Sequence, residues 1–385
     1  GALRTSVKSS TEEEETTKAN EAAAAKVAEL ENMSNEEFEE AVGSDEKVKV
    51  NKTEITEIKD ENGKSIIDAD SLANLNNAIN NGNTTVDQAV QDLGTAVVVR
   101  DSIDNTKISV DENSGQVQVT VPTPGKNNTT TTVNVADIGN GEQFIQGYNN
   151  AVNGTNSMPG STSNYDPAAG WQVTVPVPGS TTTPPQTTTI NANNMTNTDM
   201  SKFIQGYNNA LSGTSSIPGS TSSYNQGTNT WSFTVAVPGS TTTPPETKTV
   251  NVSNMSNDDM TKFVKGYKNA ASTVGSIPGS SVTCSDEGEW TINVPKIGST
   301  TTPPETFAVN AADIEPESFV RDYNHAKKIN QETGLETTYS NETGFGFKVP
   351  EINRTVSLSE IGDQEVDIRN FIDNYKLAKQ KAEEY

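Results

Sequence analysis

Apolar and polar residues alternate over 171–177, WQVTVPV, and again over 187–192, TTTINA. A period of two with β-branched residues predicts two half-buried strands. Between them PGSTTTPPQ is punctuated by proline and reads as a loop. The period then changes. In 201–211, SKFIQGYNNAL, Phe203, Tyr207 and Ala210 fall at i, i+4 and i+7, with Ile204 and Leu211 widening the stripe. Those positions share one face of a helix. Lys202, Gln205, Asn208 and Asn209 form its opposite, polar face. Thr196 with Asp199, and Ser256 with Asp259 further on, stand in the relation of a capping box and mark helix starts.

The pattern recurs. FIQGYNNA is found verbatim at 144–151 and 203–210, and weaker copies start at Phe263, Phe319 and Phe371. The spacings between these phenylalanines are 59, 60, 56 and 52 residues, and Trp171, Trp231 and Trp290 are 60 and 59 apart. Two independent markers on one period predict tandem repeats. The expected fold class is α+β, each unit a β-hairpin plus one short helix of about 52–60 residues. The predicted boundaries are 101–153, 154–212, 213–272, 273–330 and 331–385.

The expected core of each unit pairs Phe and Tyr of the helix: Phe144 and Tyr148, Phe203 and Tyr207, Phe263 and Tyr267, Phe319 and Tyr323, Phe371 and Tyr375. Each helix is expected to lie on its own hairpin, because a lone hairpin is marginal in water. A fully buried Phe side chain contributes ~1.5–3 kcal/mol. Trp171, Trp231 and Trp290 open the inward strand face, since Trp231, Phe233 and Val235 share one side of a strand. A row of sugar-stacking tryptophans is the competing reading.

In the last unit FGFKVP and RTVSLSEI are separated by only Glu351, Ile352 and Asn353. The proline-rich element is therefore an insertion into a hairpin that closes without it. It recurs at 178–185, 238–245 and 297–304. Its prolines (Pro178, Pro184, Pro185, Pro238, Pro244, Pro245, Pro303 and Pro304) mark candidate contact loops, stiff and studded with threonine.

Upstream the composition shifts. Residues 10–42 are rich in Ala, Glu and Lys, which predicts an acidic helix behind an extended arm, together 1–45. Residues 46–100 read as a degenerate hairpin and helix, with KVKVNKTEITEI, DENGK and SIIDADSLANLNNAI in order. DENGK and DENSG resemble oxygen-rich calcium loops but lack the EF-hand spacing, and turns joining strands explain them better.

Charge narrows the partners. The net charge is −24, which repels nucleic-acid phosphate and anionic lipid, so no nucleic acid is expected. From 144 to 250 the only charged residues are Asp166, Asp199, Lys202, Glu246 and Lys248. No apolar run approaches the ~20 residues that span a bilayer, so no membrane insertion is expected. One cysteine, Cys284, and one histidine, His325, cannot build a typical zinc site or a cysteine-rich redox centre. No cofactor or metal is predicted. Ser-His-Asp catalysis would need His325, and no G-x-S-x-G elbow accompanies it; a Cys–His pair would have to be Cys284 with His325, and the surrounding repeat accounts for both residues without it. The repeated middle is nearly free of the paired carboxylates that glycoside hydrolysis needs.

A Thr/Asn-rich repeat with few charges resembles bacterial, archaeal or viral surface structural proteins in kind. The expectation is a non-enzymatic, self-assembling subunit of an extracellular filament, appendage or virion layer, with other copies of itself as partners. The alternative is an adhesin-like stalk that engages a glycan or host surface through the proline-rich loops.

Overall fold

The computed structural model describes residues 3–15 and 47–384. The chain forms two compact units, 1–174 with 189–197, and 175–188 with 198–385. The described residues mix helices with five small three-stranded antiparallel sheets and one two-stranded ribbon.

In the first unit β1 (Arg4–Glu15) pairs antiparallel with β2 (Lys47–Lys59), a ribbon with a register shift at Ser6/Val7. The 46–100 segment thus differs from the expected hairpin. The strand after Glu46 takes its partner from the chain start, and two helices follow, α1 (Ala69–Asn80) and α2 (Val86–Ser102). Residues 10–15 lie in β1, and the rest of the expected acidic helix falls outside the described residues.

DENGK closes as an Asx turn. Asp60 Oδ1 accepts from the amides of Asn62 and Lys64, both at 2.9 Å, and Gly63 takes φ +79°. Its other oxygen meets Arg100 of α2 at 3.1 Å. Helix α1 guards the free edge of β2. The Asn76 side chain accepts from Ile55 N (2.7 Å) and donates to Ile55 O (3.0 Å), standing in for a strand neighbour.

Strands β3 (Lys107–Val110), β4 (Val117–Pro122) and β5 (Thr130–Asn134) make the first three-stranded sheet. Helix α3 (Gly141–Ser157) follows, and then β6 (Thr162–Asp166), β7 (Gly170–Pro176) and β8 (Thr187–Asn191). The second unit continues with α4 (Asn197–Ser216), β9 (Thr221–Asn225), β10 (Thr230–Ala236), β11 (Thr247–Asn251) and α5 (Asn257–Val274). It ends with β12 (Ser281–Cys284), β13 (Trp290–Pro295), β14 (Thr306–Asn310), α6 (Pro316–Thr333), β15 (Glu336–Ser340), β16 (Gly344–Val349), β17 (Arg354–Ser357) and α7 (Glu365–Glu383).

The middle strands alternate as their residues dictate, with Trp231, Phe233 and Val235 buried and Ser232 and Thr234 turned outward. The outward faces are tied by threonine pairs, Thr120–Thr132 at 2.9 Å, Thr174–Thr189 at 2.8 Å and Thr234–Thr249 at 2.8 Å. At α5 the Ser256–Asp259 capping box is formed in both directions. Each sheet has one strand more than the expected hairpin. The extra strand, TSNYD in β6 or TSSYN in β9, is short and polar and carries little alternation.

Candidate functional site

The predicted core residues converge, but across a different joint from the one expected. Phe144 and Tyr148 of α3 pack on Trp171 of β7, the sheet that follows the helix, with ring centroids at 5.6 and 5.3 Å. In the second unit Phe203 and Tyr207 of α4 meet Trp231 at 5.5 and 5.6 Å. Phe263 and Tyr267 of α5 meet Trp290 at 5.4 and 5.5 Å. Phe319 and Tyr323 of α6 meet Phe345, which stands in the tryptophan's place, at 5.6 and 6.2 Å. A tyrosine of the extra strand joins three of these clusters, Tyr165 at 5.2 Å from Trp171, Tyr224 at 5.2 Å from Trp231 and Tyr339 at 4.9 Å from Phe345, while Cys284 stands beside Trp290 in the remaining one. Contact with the preceding sheet also exists, as between Phe233 and Phe263 at 5.8 Å. Phe371 of α7 touches Phe347 of the preceding sheet at 6.4 Å, and Tyr375 donates to Glu351 at 2.8 Å.

Trp171, Trp231 and Trp290 are at most 1% exposed, so none offers a ring face to a sugar. Phe144, Phe203 and Phe263 are equally buried, whereas Tyr267, Phe371 and Tyr375 are partly exposed. The three indole N–H groups find no oxygen acceptor.

The polar letters of the octapeptide are structural too. Asn150 and Asn209 are buried, not on an outer polar face. Asn150 donates to Ala192 O (3.1 Å) and Met195 O (2.7 Å), Asn209 to Val252 O (2.9 Å) and Met255 O (2.8 Å), Asn269 to Ala311 O (2.9 Å) and Ile314 O (3.0 Å). Each pair of carbonyls lies in the turn that carries the last strand of the following sheet into the next helix. Gln146 and Gln205 donate to the same Met195 and Met255 carbonyls.

The glycine between them is there for contact. A Cβ on Gly206 would lie 2.3 Å from Ser253 Oγ and 2.8 Å from Trp231 Cδ1. Ser253 Oγ in turn accepts from Trp231 N at 2.8 Å. The sequence signal for all of this was that the two verbatim copies preserve Gln, Gly and Asn as strictly as Phe and Tyr.

The proline-rich loops divide into a base and a tip. Pro178 and Pro238 are buried, while Pro184, Pro185, Pro244, Pro245, Pro303 and Pro304 are exposed. At the base Val177–Ser180 forms a tight turn with Gly179 at φ +82°, closed by Ser180 N to Val177 O at 3.1 Å. Pro178 O accepts from Ser222 Oγ of β9 at 2.5 Å, and Pro124 O likewise from Ser163 Oγ of β6 at 2.6 Å. The loop base is therefore a joint to the next sheet.

The tip carries one internal network three times. Ser180 Oγ accepts from Gln186 N (2.9 Å), and Thr182 Oγ1 donates to Pro184 O (2.9 Å). Ser240 with Thr242, and Ser299 with Thr301, reproduce both bonds within 0.1 Å.

No hydrogen bond joins Cys284 to His325 among the described residues. Burial pushes the Cys284 thiol up to about 12, and Cys284 lies on β12 with its Sγ 3.4 Å from Ser285 O. A thiol held protonated is a poor nucleophile. His325 of α6 occupies the octapeptide position held by Asn150 and Asn209, with its Nδ1 buried and unpartnered. No group of three or more His, Cys, Asp or Glu is placed to hold a metal among the described residues. No helix among them is long and apolar enough to cross a membrane. No family model, no curated protein and no solved structure matches the chain.

Two predictions follow from these contacts. Gly206→Ala forces a methyl into Trp231 and Ser253 and is expected to cost about 1–3 kcal/mol by chemical denaturation. Gly94→Ala, in α2 with its nearest neighbour at 3.8 Å, is expected to stabilise by roughly 0.5–1 kcal/mol.

Burial pushes Tyr224 up to about 12, and pushes Tyr148, Tyr165, Tyr207, Tyr267, Tyr323 and Tyr339 upward. The folded state then holds protons that the unfolded state releases near the ordinary value of 10.0. Their contribution is complete below that value and is lost as pH climbs through their raised folded values, about 12 for Tyr224. Ultraviolet titration should show most tyrosines ionising late and together with unfolding. Ionisation of most of them near pH 10 with the fold intact would be inconsistent with a buried cluster.

Proposed function

We propose that the chain is a non-enzymatic structural subunit made of tandem modules, assembling with copies of itself in an extracellular filament, appendage, or cell- or virion-surface layer. The observation that carries this reading is the joint itself. In α3, α4 and α5 the same letters of one octapeptide grip the following sheet through aromatic contact, glycine approach and a two-carbonyl asparagine bridge. A sequence that spends its recurring residues on joints is organised for mechanical continuity.

The module begins at a helix and ends with the sheet that covers it. Helix α2 fits the series as a degenerate first member. AVQDLGTA, 89–96, lies 55 residues before the first octapeptide, and its Ala89, Leu93 and Ala96 are buried where Phe, Tyr and Ala stand later. Val117 replaces the tryptophan, and α1 fills part of the space, its Ala78 Cβ 2.2 Å from where a Cβ on Gly115 would be. Atypical first members are expected where an array starts.

Linkage between copies is assigned to β1. It pairs over twelve residues with β2, from which it is separated by residues 16–46. The same register is open to the β1 of a second copy, and exchange of an identical element is a low-cost route to assembly. The uncharged threonine faces of the sheets suit lateral packing without repulsion. The three identically braced loop tips favour the second reading, an adhesin-like stalk presenting them to a glycan or receptor.

Negative-stain microscopy and sedimentation of the whole chain, and of a variant lacking residues 1–15, test the proposal. The whole chain should form extended oligomers that the truncation abolishes. Monomers at every concentration would overturn it. If assembly survives replacement of 180–185, 240–245 and 299–304 by short turns while surface binding is lost, the stalk reading gains.

A further inference from the structure

We propose that the joint between the last two sheets is a binding site for a small six-membered ring bearing a carboxylate. A cavity of about 310 Å³ opens there, with Phe307, Tyr339 and Phe345 as its aromatic wall and Lys296 and Lys348 among its lining residues. Its size is in the range of small-ligand pockets, which combine apolar walls with a few polar groups that fix orientation.

The joint departs from its counterparts on this wall. The comparison rests on the modular reading; the binding test does not depend on assembly. By strand register Val177 and Val237 stand where Lys296 does, Thr188 and Lys248 where Phe307 does, and Thr174 and Thr234 where Lys348 does. The serine tie that closes the first two joints is missing here. Ser163 and Ser222 donate to the carbonyls of Pro124 and Pro178, and Val282 holds the matched place in the third joint, whereas the matched Thr337 hydroxyl is buried without a partner and lines the cavity together with Ile297, which replaces the proline of the turn.

Phe307 stacks on Tyr339 with centroids 4.8 Å apart and planes at 29°, and both rings are partly exposed. Flat apolar faces of this kind accept a planar ring or the apolar face of a pyranose. The lysines are available. Lys296 faces Glu305 at 3.7 Å and Lys348 faces Glu336 at 3.5 Å, each pair largely exposed. Exposed pairs of this kind are weak and exchange readily for a ligand's carboxylate.

Both an aromatic acid and a hexuronic acid carry the required chemistry. Ligand-observed NMR on the whole chain with 4-hydroxybenzoate, glucuronate and glucose separates them. At least one of the two acids should show saturable binding that weakens with salt, and glucose should show little. Phe307→Ala and Lys348→Gln should each weaken it about tenfold or more, the first by removing the ring face and the second by removing a charge. Circular dichroism and thermal melting check that both variants fold. If Phe307→Ala fails to fold, Lys348→Gln with Lys296→Gln, on the solvent side, carries the test. The inference is overturned if neither acid saturates, if glucose binds as well as the acids, or if folded variants bind as the wild type does. Loss of self-assembly with ligand binding intact would sink the filament proposal and leave this site standing.

Discussion

The contact on which everything else depends is the one between a helix and the sheet that comes after it. Tyr267 and Phe263 close on Trp290, and the same arrangement holds for α3 and α4. A three-stranded sheet of four- to seven-residue strands has an apolar face to cover, and a polar helix of this length is marginal by itself. Each needs the other, and the partners are consecutive along the chain.

The polar residues then fix the geometry that hydrophobic contact leaves loose. A buried asparagine that misses its carbonyls costs the desolvation of donors and acceptors together, so Asn209 permits one placement of the turn at 252–255. Gly206 sets the depth at which the helix sits on Trp231. Where the pattern changes, so does the joint. His325 replaces the bridging asparagine in α6, and at the neighbouring turn Ile297 and Thr337 replace the proline–serine tie.

Much of this was legible in the residues. The strand faces, the helix stripe and the Ser256–Asp259 cap follow from spacing alone. Four things did not. The direction of packing was misjudged, because a stripe says which face is buried and not by what, and the helix has a sheet on either side in sequence. The extra strand was missed since TSNYD and TSSYN read as loop, and their strand character comes from the edge they pair with. Asn209 was placed on the solvent face because helical phase treats asparagine as polar, while its hydrogen bonds are made inside. At the N-terminus, charge and alanine content suggested helix for residues that include the 10–15 strand, whose pairing with β2 no local pattern discloses.

The proposed role as a building element stands on the contact between each helix and the sheet after it. The most direct test is a pair of double-mutant cycles on Tyr267, one with Trp290 and one with Trp231, measured by equilibrium denaturation. The account predicts a coupling of about 0.5–1.5 kcal/mol between Tyr267 and Trp290, as for packed aromatic pairs, and additivity between Tyr267 and Trp231. Coupling to Trp231 with additivity at Trp290 would show the helix clamped to the sheet before it, and would contradict the forward wiring of the chain.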